Sequence, residues 1–206
     1  MAVGPATPGA HGWERNKQQT RLALIWAAIR LFREHGYETT TVDDIASAAG
    51  CSRRTFFRYF GTKEDVLLLD TREMLSEFRA FVSHPVPGLT RWDQIRVATF
   101  TAIRRLAEPS SGVEELIIAS WLTEPAIAKH FSVILAELER TIALALAEER
   151  GADPDQDLTI QFVARATVAA VTAALHVHIH RHGKLENEFE QVFALLEGCM
   201  PPLYRP

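Results

Sequence analysis

This sequence predicts an all-α fold of nine helices, divided between a small N-terminal domain and a larger body. Hydrophobic residues recur every three or four positions along most of the chain, which is the repeat of one face of an α-helix. Threonine or serine precedes several of these runs at the spacing of a helix cap. Glycine and proline clusters separate the runs, and no strand-like alternation competes with them.

Length and composition indicate a soluble protein with a sizeable core. The chain has 206 residues, of which 47% are hydrophobic, and it has no run of about eighteen uncharged apolar residues. We expect residues 1–12, rich in Gly, Pro and Ala, to form a disordered tail rather than an export signal. These features predict a cytoplasmic protein without a membrane partner. Cys51 and Cys199 lack metal-binding spacing, so we expect reduced thiols and no cofactor.

The most informative segment extends from Thr41 to Phe60 and predicts two short helices joined by a tight turn. Asp44 follows Thr41 by three residues, so the hydroxyl and the carboxylate can cap a helix reciprocally. Gly50 stands where the chain reverses through a left-handed conformation, which glycine adopts most readily. Ser52 can then cap the second helix.

The second of these helices is predicted to bury Phe56 and Phe60 and to expose a basic surface. That surface comprises Arg53, Arg54, Thr55, Phe57, Arg58 and Tyr59. An α-helix fits the major groove of B-DNA, where arginine pairs with the two acceptors of guanine and a hydroxyl donates or accepts. The pattern is typical of a DNA-reading helix-turn-helix; the alternative is a helical hairpin whose basic face is only solvated.

Different residues are expected to read bases and to hold phosphates. The candidate base readers are Arg53, Arg54 and Thr55. Tyr59, Lys63 and the amide end of the helix after Thr41 suit phosphates, which position a protein without reading sequence. The complete predicted interface comprises Thr41, Ser52, Arg53, Arg54, Thr55, Phe57, Arg58, Tyr59 and Lys63.

A long series of residues forms one further pattern between Thr20 and Val66. It comprises Arg21, Ala27, Ala28, Leu31, Phe32, Gly36, Tyr37, Thr40, Thr41, Val42, Ile45, Ala46, Ala49, Gly50, Ser52, Thr55, Phe56, Tyr59, Phe60, Lys63 and Glu64. With these residues the stretch resembles the N-terminal domain of the TetR family of bacterial transcriptional regulators. Phe57 departs from the family, which commonly has tyrosine there, so Phe57 offers only apolar contact. The resemblance implies a helix-turn-helix domain over residues 13–66 and a ligand-binding and dimerisation domain over residues 67–206.

Charge is distributed unevenly along this chain, whose net charge is −4. Residues 1–65 carry nine Lys or Arg against seven Asp or Glu, whereas the remainder carries thirteen against nineteen. The basic excess is therefore confined to the predicted DNA-binding end. Because the excess is small, specific contacts and dimerisation must contribute more than bulk attraction.

Beyond the helix-turn-helix the sequence predicts a connecting helix followed by five more. Thr62 and Asp65 repeat the capping-box spacing, with Lys63 in the first turn of a helix that extends to Val82. The later helices are expected over about residues 92–106, 113–122, 124–150, 155–182 and 185–200.

The last two predicted helices are the candidate homodimer interface. An operator with two half-sites needs two recognition helices that are about one helical turn of DNA, or a multiple of it, apart. A symmetric dimer provides this spacing. Residues 164–175 are dense in alanine and valine, small enough to let helices of two subunits approach closely. The TetR resemblance implies a four-helix dimer bundle; the alternative is that the alanines pack inside one subunit.

The resemblance also implies a small-molecule pocket among the middle helices, whose occupation makes the protein leave operator DNA. The candidate lining residues are Met74, Phe78, Trp92, Phe100, Ile117, Trp121, Phe131 and Val171. They suit a hydrophobic effector, although each is also a candidate core residue. We therefore expect a repressor released by a hydrophobic small molecule; the alternative is an activator, or a regulator controlled by a protein partner.

Four histidines alternate near the end of the penultimate predicted helix: His176, His178, His180 and His182. Their spacing forms two pairs four residues apart, which can chelate zinc, nickel or copper. Two ligands do not complete a site, and no cysteine is near, so we predict no bound metal. We expect the histidines in solvent, at the pocket or at the dimer seam.

Catalytic patterns are not found in the sequence. It has no Ser or Cys nucleophile in a strand-turn-helix context, no phosphate-binding glycine loop and no close carboxylate pair beyond those of ordinary helix surfaces. We therefore expect a regulator and not an enzyme.

Overall fold

The computed structural model describes residues 10–68, 71–107, 114–181 and 183–200, which form ten α-helices and no β-strand. The helices are α1 (Ala10–His35), α2 (Val42–Ala48), α3 (Arg53–Tyr59), α4 (Asp65–Leu68), α5 (Thr71–Val82), α6 (Arg91–Ala107), α7 (Glu114–Thr123), α8 (Pro125–Arg150), α9 (Leu158–Arg181) and α10 (Leu185–Cys199). The predicted all-α class is confirmed. The predicted tail, residues 1–12, lies mostly outside the described residues, and α1 begins within it.

The described residues of the predicted connecting helix form α4 and α5, and residues 69 and 70 between them lie outside the described part, which therefore has ten helices where the sequence predicts nine. The start of α4 also differs from the prediction. Thr62 N donates to Asp65 Oδ2 at 2.9 Å, and Asp65 N donates to Thr62 Oγ1 at 3.3 Å, so the predicted cap forms. These bonds hold the residues between them in a turn, and α4 begins only at Asp65. Lys63 therefore lies ahead of the helix and not in its first turn.

Two compact units divide the chain between Leu67 and Leu68. In unit 1, α2 packs against both α1 and α3, and each of α2 and α3 is only seven residues long. Helices this short are not stable alone, so their buried side chains must hold them in place. The buried residues include Leu24, Ile25, Ala28, Phe32, Ile45, Ala46, Phe56 and Phe60. Each large one contributes about 1.5–3 kcal/mol when fully buried.

The turn between α2 and α3 has the predicted left-handed glycine. Gly50 has a φ of 68°, and no heavy atom lies within 4 Å of the position that a Cβ would take. Backbone conformation, and not lack of space, therefore favours glycine here. Gly50 N donates to the Ser47 carbonyl at 3.0 Å and Cys51 N to the Ala46 carbonyl at 2.9 Å, which satisfies the end of α2.

Unit 2 is a helical bundle in which α9 packs against both α8 and α10. The helix α6 packs against α5, α8 and α10, and α7 packs against α8 and α9. Gly151 ends α8 with a φ of 61°. Asp157 Oδ1 accepts hydrogen bonds from Thr159 N at 2.8 Å and Ile160 N at 3.1 Å, which starts α9.

Among the helices of the described residues, one, α9, is long and apolar enough to cross a membrane by length and composition, with 24 residues and a window of mean hydropathy 1.6. Within unit 2 it buries Ile160, Val163, Val171 and Leu175 among other residues. Because α9 packs against α8 and α10, its apolar composition matches that of a core helix.

A buried arginine joins three helices of unit 2. The Arg91 side chain is 4% exposed. Its Nη1 donates to the Val82 carbonyl at 2.8 Å and to Gln94 Oε1 at 3.2 Å, and its Nη2 donates to Glu148 Oε2 at 3.2 Å. The cation thereby caps the C-terminal end of α5 and pairs with α8. This structural role was not predicted from the sequence.

Candidate DNA interface and effector cavity

The N-terminus of α2 is capped as the sequence predicts. Asp44 N donates to Thr41 Oγ1 at 3.2 Å, and Thr41 N donates to Asp44 Oδ2 at 2.9 Å. Hydrogen bonds from the Thr41 side chain and backbone favour the carboxylate, so they hold the pKa of Asp44 below its ordinary value. These hydrogen bonds therefore fix the start of α2 directly after Thr41, the first residue of the helix-turn-helix.

The helix α3 presents the predicted base readers to solvent. Ser52 caps it, because Thr55 N donates to Ser52 Oγ at 3.1 Å. Phe56 is fully buried and Phe60 nearly so, as predicted, which directs the opposite face outward. The exposed or half-buried residues of α3 are Arg53, Arg54, Thr55, Phe57, Arg58 and Tyr59.

The two arginines at the start of α3 have different surroundings. Arg53 Nη1 donates to Asp43 Oδ2 at 2.6 Å, and the guanidinium lies 5.4 Å from the centroid of the Phe57 ring. Arg54 is exposed and has no hydrogen bond or ion pair with another described residue. Arg54 can therefore contact a base without breaking an internal pair. Phe57, which departs from the TetR pattern, serves here as the surface against which Arg53 stacks.

Arg58 and Tyr59 form a second arginine–aromatic pair on α3. The guanidinium carbon of Arg58 lies 5.2 Å from the centroid of the Tyr59 ring. A cation–π contact at an exposed site contributes about 0.5–1 kcal/mol, which is enough to bias the side-chain orientation. Two of the three arginines of α3 are thus oriented by aromatic side chains of the same helix.

Lys63 has a structural role that its position in the sequence does not predict. Its Nζ donates to the Tyr37 carbonyl at 2.7 Å and to the Thr40 carbonyl at 2.9 Å, and it lies 3.9 Å from the centroid of the Tyr37 ring. The ammonium therefore ties the segment between α1 and α2 to the turn before α4. An ammonium has three donors, and these carbonyls accept from two of them. No local spacing links these residues, so only the fold brings them together.

Tyr37 strengthens the same junction. Its hydroxyl donates to Glu64 Oε1. Burial, followed by this hydrogen bond, raises the pKa of Tyr37 above its ordinary value, so the phenol stays protonated and remains a donor. Lys63 and Glu64 thus both bind Tyr37, one through its carbonyl and the other through its hydroxyl.

Unit 2 contains a cavity of about 90 Å³ with an apolar wall. Side chains of α5, α6, α7, α8 and α9 contribute to it, and the rings of Trp121 and Phe131 stack there with centroids 4.7 Å apart. The wall comprises Thr71, Met74, Leu75, Phe78, Thr99, Ala102, Ile103, Leu106, Trp121, Phe131, Ile134, Leu135, Leu138, Val171 and Leu175. None of these residues is ionisable. A charged ligand would lose its hydration there without a compensating partner.

Five of the eight predicted lining residues belong to this wall: Met74, Phe78, Trp121, Phe131 and Val171. The other three, Trp92, Phe100 and Ile117, do not. Trp92 and Phe100 pack instead against Phe193 of α10, at centroid distances of 5.9 and 5.4 Å, and Trp92 Nε1 donates to Glu197 Oε1. Ile117 is buried in the packed interior of the unit. Helical spacing alone did not distinguish the residues that line the cavity from those that pack in the core.

A surface groove between α5 and α6 adjoins the cavity. The residues that line both are Met74, Phe78 and Ala102. At the edge of the groove, Arg105 donates to Glu77 Oε2 at 2.8 Å and to Glu73 Oε2 at 3.3 Å. The two carboxylates outnumber the guanidinium, so this edge does not attract anions.

Exposed small and apolar side chains form a stripe on α9, and α10 also has an exposed apolar side chain. Phe162, Ala169 and Ala173 are exposed on α9, and Leu195 of α10 is 70% exposed. The small residues predicted at the dimer interface are therefore divided between two faces. Those of the run that face the interior of unit 2 are Ala164, Thr167, Ala170, Val171, Ala174 and Leu175.

The histidines of α9 also lie on opposite faces. His176 and His180 are exposed, with ring centroids 4.7 Å apart, whereas His178 is buried. His182 lies outside the described residues. Within the described part of the chain, no group of three or more His, Cys, Asp or Glu is arranged to hold a metal ion.

Two family profiles match the chain. "Bacterial regulatory proteins, tetR family" matches residues 24–69, and "MftR C-terminal domain" matches residues 89–201, which is more than half of the chain. The chain belongs to the TetR family. This TetR-family protein is thus a helix-turn-helix transcriptional regulator, as the resemblance predicted, and such regulators are DNA-binding proteins and not enzymes.

Individual relatives agree with this assignment. The HTH-type transcriptional regulator TcmR of Streptomyces glaucescens is 29% identical over 164 residues, which cover 77% of this chain and 73% of TcmR. The putative mycofactocin biosynthesis transcriptional regulator MftR of Mycobacterium tuberculosis is 37% identical over 84 residues, which cover 41% of this chain and 42% of MftR.

Solved structures share the TetR-family fold. The SmeT–triclosan complex has a TM-score of 0.62 at 17% identity, covering 87% of this chain and 90% of SmeT. The fatty acid degradation regulator FadR of Bacillus halodurans has a TM-score of 0.59 at 20% identity, covering 87% of this chain and 98% of FadR.

Proposed function

We propose that this TetR-family regulator is a homodimeric cytoplasmic repressor that binds operator DNA through α3 and leaves it when a small hydrophobic molecule occupies the unit 2 cavity. The observation that carries the proposal is the presence, in one chain, of an exposed arginine-bearing helix and an apolar cavity lined by five helices. The first feature suits a DNA major groove, and the second suits an uncharged ligand.

Operator reading is assigned to the first turn of α3. Arg54, unlike Arg53, forms no hydrogen bond or ion pair with another described residue, so it is the first candidate for a bidentate contact with guanine. Arg53 and Thr55 are the neighbouring candidates. The residues proposed for phosphate and flanking contacts are Thr41, Ser52, Phe57, Arg58, Tyr59 and Lys63.

Dimerisation is assigned to the exposed stripe of α9 together with the exposed apolar side chain of α10. A symmetric dimer places the same patch of each subunit against its own copy, so a self-complementary apolar surface is required. Phe162 and Leu195 supply the large exposed apolar side chains, whereas Ala169 and Ala173 are small enough to let two helices approach closely.

Release is proposed to follow from linkage between the cavity and DNA binding. A ligand that favours a conformation unsuited to the operator lowers the affinity of the protein for DNA. By linkage, DNA lowers the affinity of the protein for the ligand by the same factor. The apolar wall and the stacked Trp121 and Phe131 rings favour a hydrophobic, aromatic molecule.

The experiment begins with selection of bound fragments from genomic DNA, followed by fluorescence anisotropy on the selected duplex. We expect preference for that duplex over random competitor and loss of binding on titration with an uncharged aromatic compound. Ala102→Leu, which partly fills the cavity, is the matched control and should bind DNA normally but respond weakly.

Three results contradict the proposal in different ways. Equal binding to the selected duplex and to random competitor contradicts operator reading. Specific binding that no small molecule alters contradicts direct sensing and favours the alternative of a protein partner, and increased transcription from the bound promoter favours an activator.

A further inference from the structure

One of the residues that line the unit 2 cavity has a buried polar atom without a hydrogen-bond partner in the described part of the chain. Two threonines line the cavity. Thr99 Oγ1 donates to the Ile95 carbonyl at 2.8 Å, so its hydroxyl is used within α6. Thr71 Oγ1 is buried and has no hydrogen-bond partner among the residues that the structure describes, and the residue as a whole is 6% exposed.

An unpaired buried hydroxyl is unfavourable, because it has left water without gaining another hydrogen bond. Native proteins keep few such groups, so each one calls for an explanation, and a ligand that supplies the missing hydrogen bond is one. An ordered water is a poor substitute here, since a buried water needs two to four polar partners and the surrounding wall is apolar.

The position of Thr71 in the chain gives the hydroxyl further significance. Thr71 is the first residue of α5 and follows Leu68, the first residue of unit 2, by three positions. A ligand that binds Thr71 therefore acts on the N-terminal end of the helix that directly follows unit 1 in sequence.

Charge on the ligand is disfavoured both inside and beside the cavity. The wall has no ionisable residue. In the adjoining groove, Arg105 is already engaged by Glu73 and Glu77, so no cation is left there for a carboxylate or phosphate.

We propose that the effector is an uncharged apolar molecule with a single oxygen, a hydroxyl or a carbonyl, that hydrogen-bonds to Thr71 Oγ1. This inference rests on the proposed function, because it assigns the polar contact of the same cavity. Thr71 is the residue that distinguishes oxygen-bearing ligands from hydrocarbons of equal shape.

The test uses three small aromatic probes: phenol, toluene and benzoate. Phenol and toluene differ by a hydroxyl in place of a methyl group, and benzoate adds a charge. Binding to the full-length protein is followed by NMR of isotope-labelled methyl groups of Ile103 and Leu106, which line the cavity. The variants are Thr71→Val, Thr71→Ser and, as the matched control, Thr99→Val.

We expect Thr71→Val to weaken phenol binding by about three- to tenfold and to leave toluene binding within about twofold, the scale of one neutral hydrogen bond. Thr71→Ser should restore phenol binding because it keeps the hydroxyl. Thr99→Val should leave the preference between phenol and toluene unchanged, since that hydroxyl is already bonded within the helix. Benzoate should bind more weakly than both.

Different results overturn different parts of the proposal. If phenol and toluene bind but Thr71→Val affects them equally, the cavity is a ligand site and the assignment to Thr71 is wrong. If benzoate binds best, the ligand is anionic and the inference is wrong. If no probe shifts the cavity methyl groups, both the inference and the cavity as effector site fail, while operator reading by α3 still stands.

Discussion

The Arg53 guanidinium donates to the Asp43 carboxylate across the α2–α3 turn at 2.6 Å. Both side chains are well exposed, and exposed pairs of this kind contribute only about 0–1 kcal/mol to stability. We expect the pair to matter mainly for DNA recognition, because it places a negative charge beside Arg53, a proposed base reader, whereas Arg54 has no partner among the described residues.

Substitution of Arg54 tests the recognition helix directly. Arg54→Ala should weaken binding to the cognate duplex by about 1–3 kcal/mol and relax base preference at one position. The measurement is anisotropy with the cognate duplex and single-base variants, and thermal unfolding of the exposed variant provides the control for folding. Unchanged affinity and preference would mean that α3 is not the reading helix.

Removal of the Asp43 carboxylate should have the opposite effect on DNA binding. Asp43→Asn releases Arg53 and removes a negative charge near the phosphates, so affinity should rise for all duplexes. The slope of log affinity against log salt concentration should steepen by the amount expected for about one additional phosphate contact. If affinity falls instead, the Arg53–Asp43 pair is the DNA-binding conformation and Asp43 positions the arginine.

Lys63 should contribute both to the stability of unit 1 and to DNA binding. Lys63→Met removes donors to the Tyr37 and Thr40 carbonyls, so we expect a loss of about 1–3 kcal/mol in urea unfolding. DNA affinity should fall alike for cognate and random duplexes. A fall in affinity with unchanged stability would show that phosphate contact, and not the internal hydrogen bonds, is the main role of Lys63.

The α2 cap should make stability depend on pH. The pKa of Asp44 in the folded protein lies below its ordinary value of 3.8, so the stabilisation by its carboxylate is complete above 3.8. It is lost as the pH falls through the lowered pKa. Asp44→Ala should therefore lower Tm at pH 7, and the difference from wild type should narrow in acid. A difference independent of pH would contradict this assignment.

The dimer interface can be tested with one charge on each of two exposed surfaces. Phe162→Glu places a charge on the α9 stripe, where Phe162 is 48% exposed, and should produce monomers by light scattering and sedimentation. Val133→Glu changes a residue of α8 that is 56% exposed and should leave the oligomeric state unchanged. If both variants stay dimeric, another surface forms the dimer.

Local features of the helix-turn-helix were predictable because short-range physics determines them. The Thr41–Asp44 cap, the left-handed Gly50 and the buried Phe56 each depend on residues within one or two turns. Their conformational preferences act before any tertiary contact forms. The predicted connecting helix was less accurate, since its Thr62 cap holds a turn that delays the helix to Asp65.

Long-range contacts were not predictable from spacing. Trp92 and Phe100 have the helical spacing of the cavity-lining aromatics, yet both pack against Phe193 of α10. Periodicity shows which face of a helix is apolar, but not which neighbour covers that face. The buried Arg91 and the tethered Lys63 were missed for the same reason.

The helical class, the capped helix-turn-helix and the exposed residues of its second helix could be inferred from the amino-acid sequence, because they follow from local backbone preferences and the 3.6-residue repeat. Three features emerged only from the folded chain: which apolar side chains surround a cavity, the pairing of Arg53 but not Arg54 with another described residue, and the hydroxyl of Thr71 without a partner in the described part of the chain. These features depend on contacts between segments that are distant in sequence, and such contacts form only when the complete chain packs.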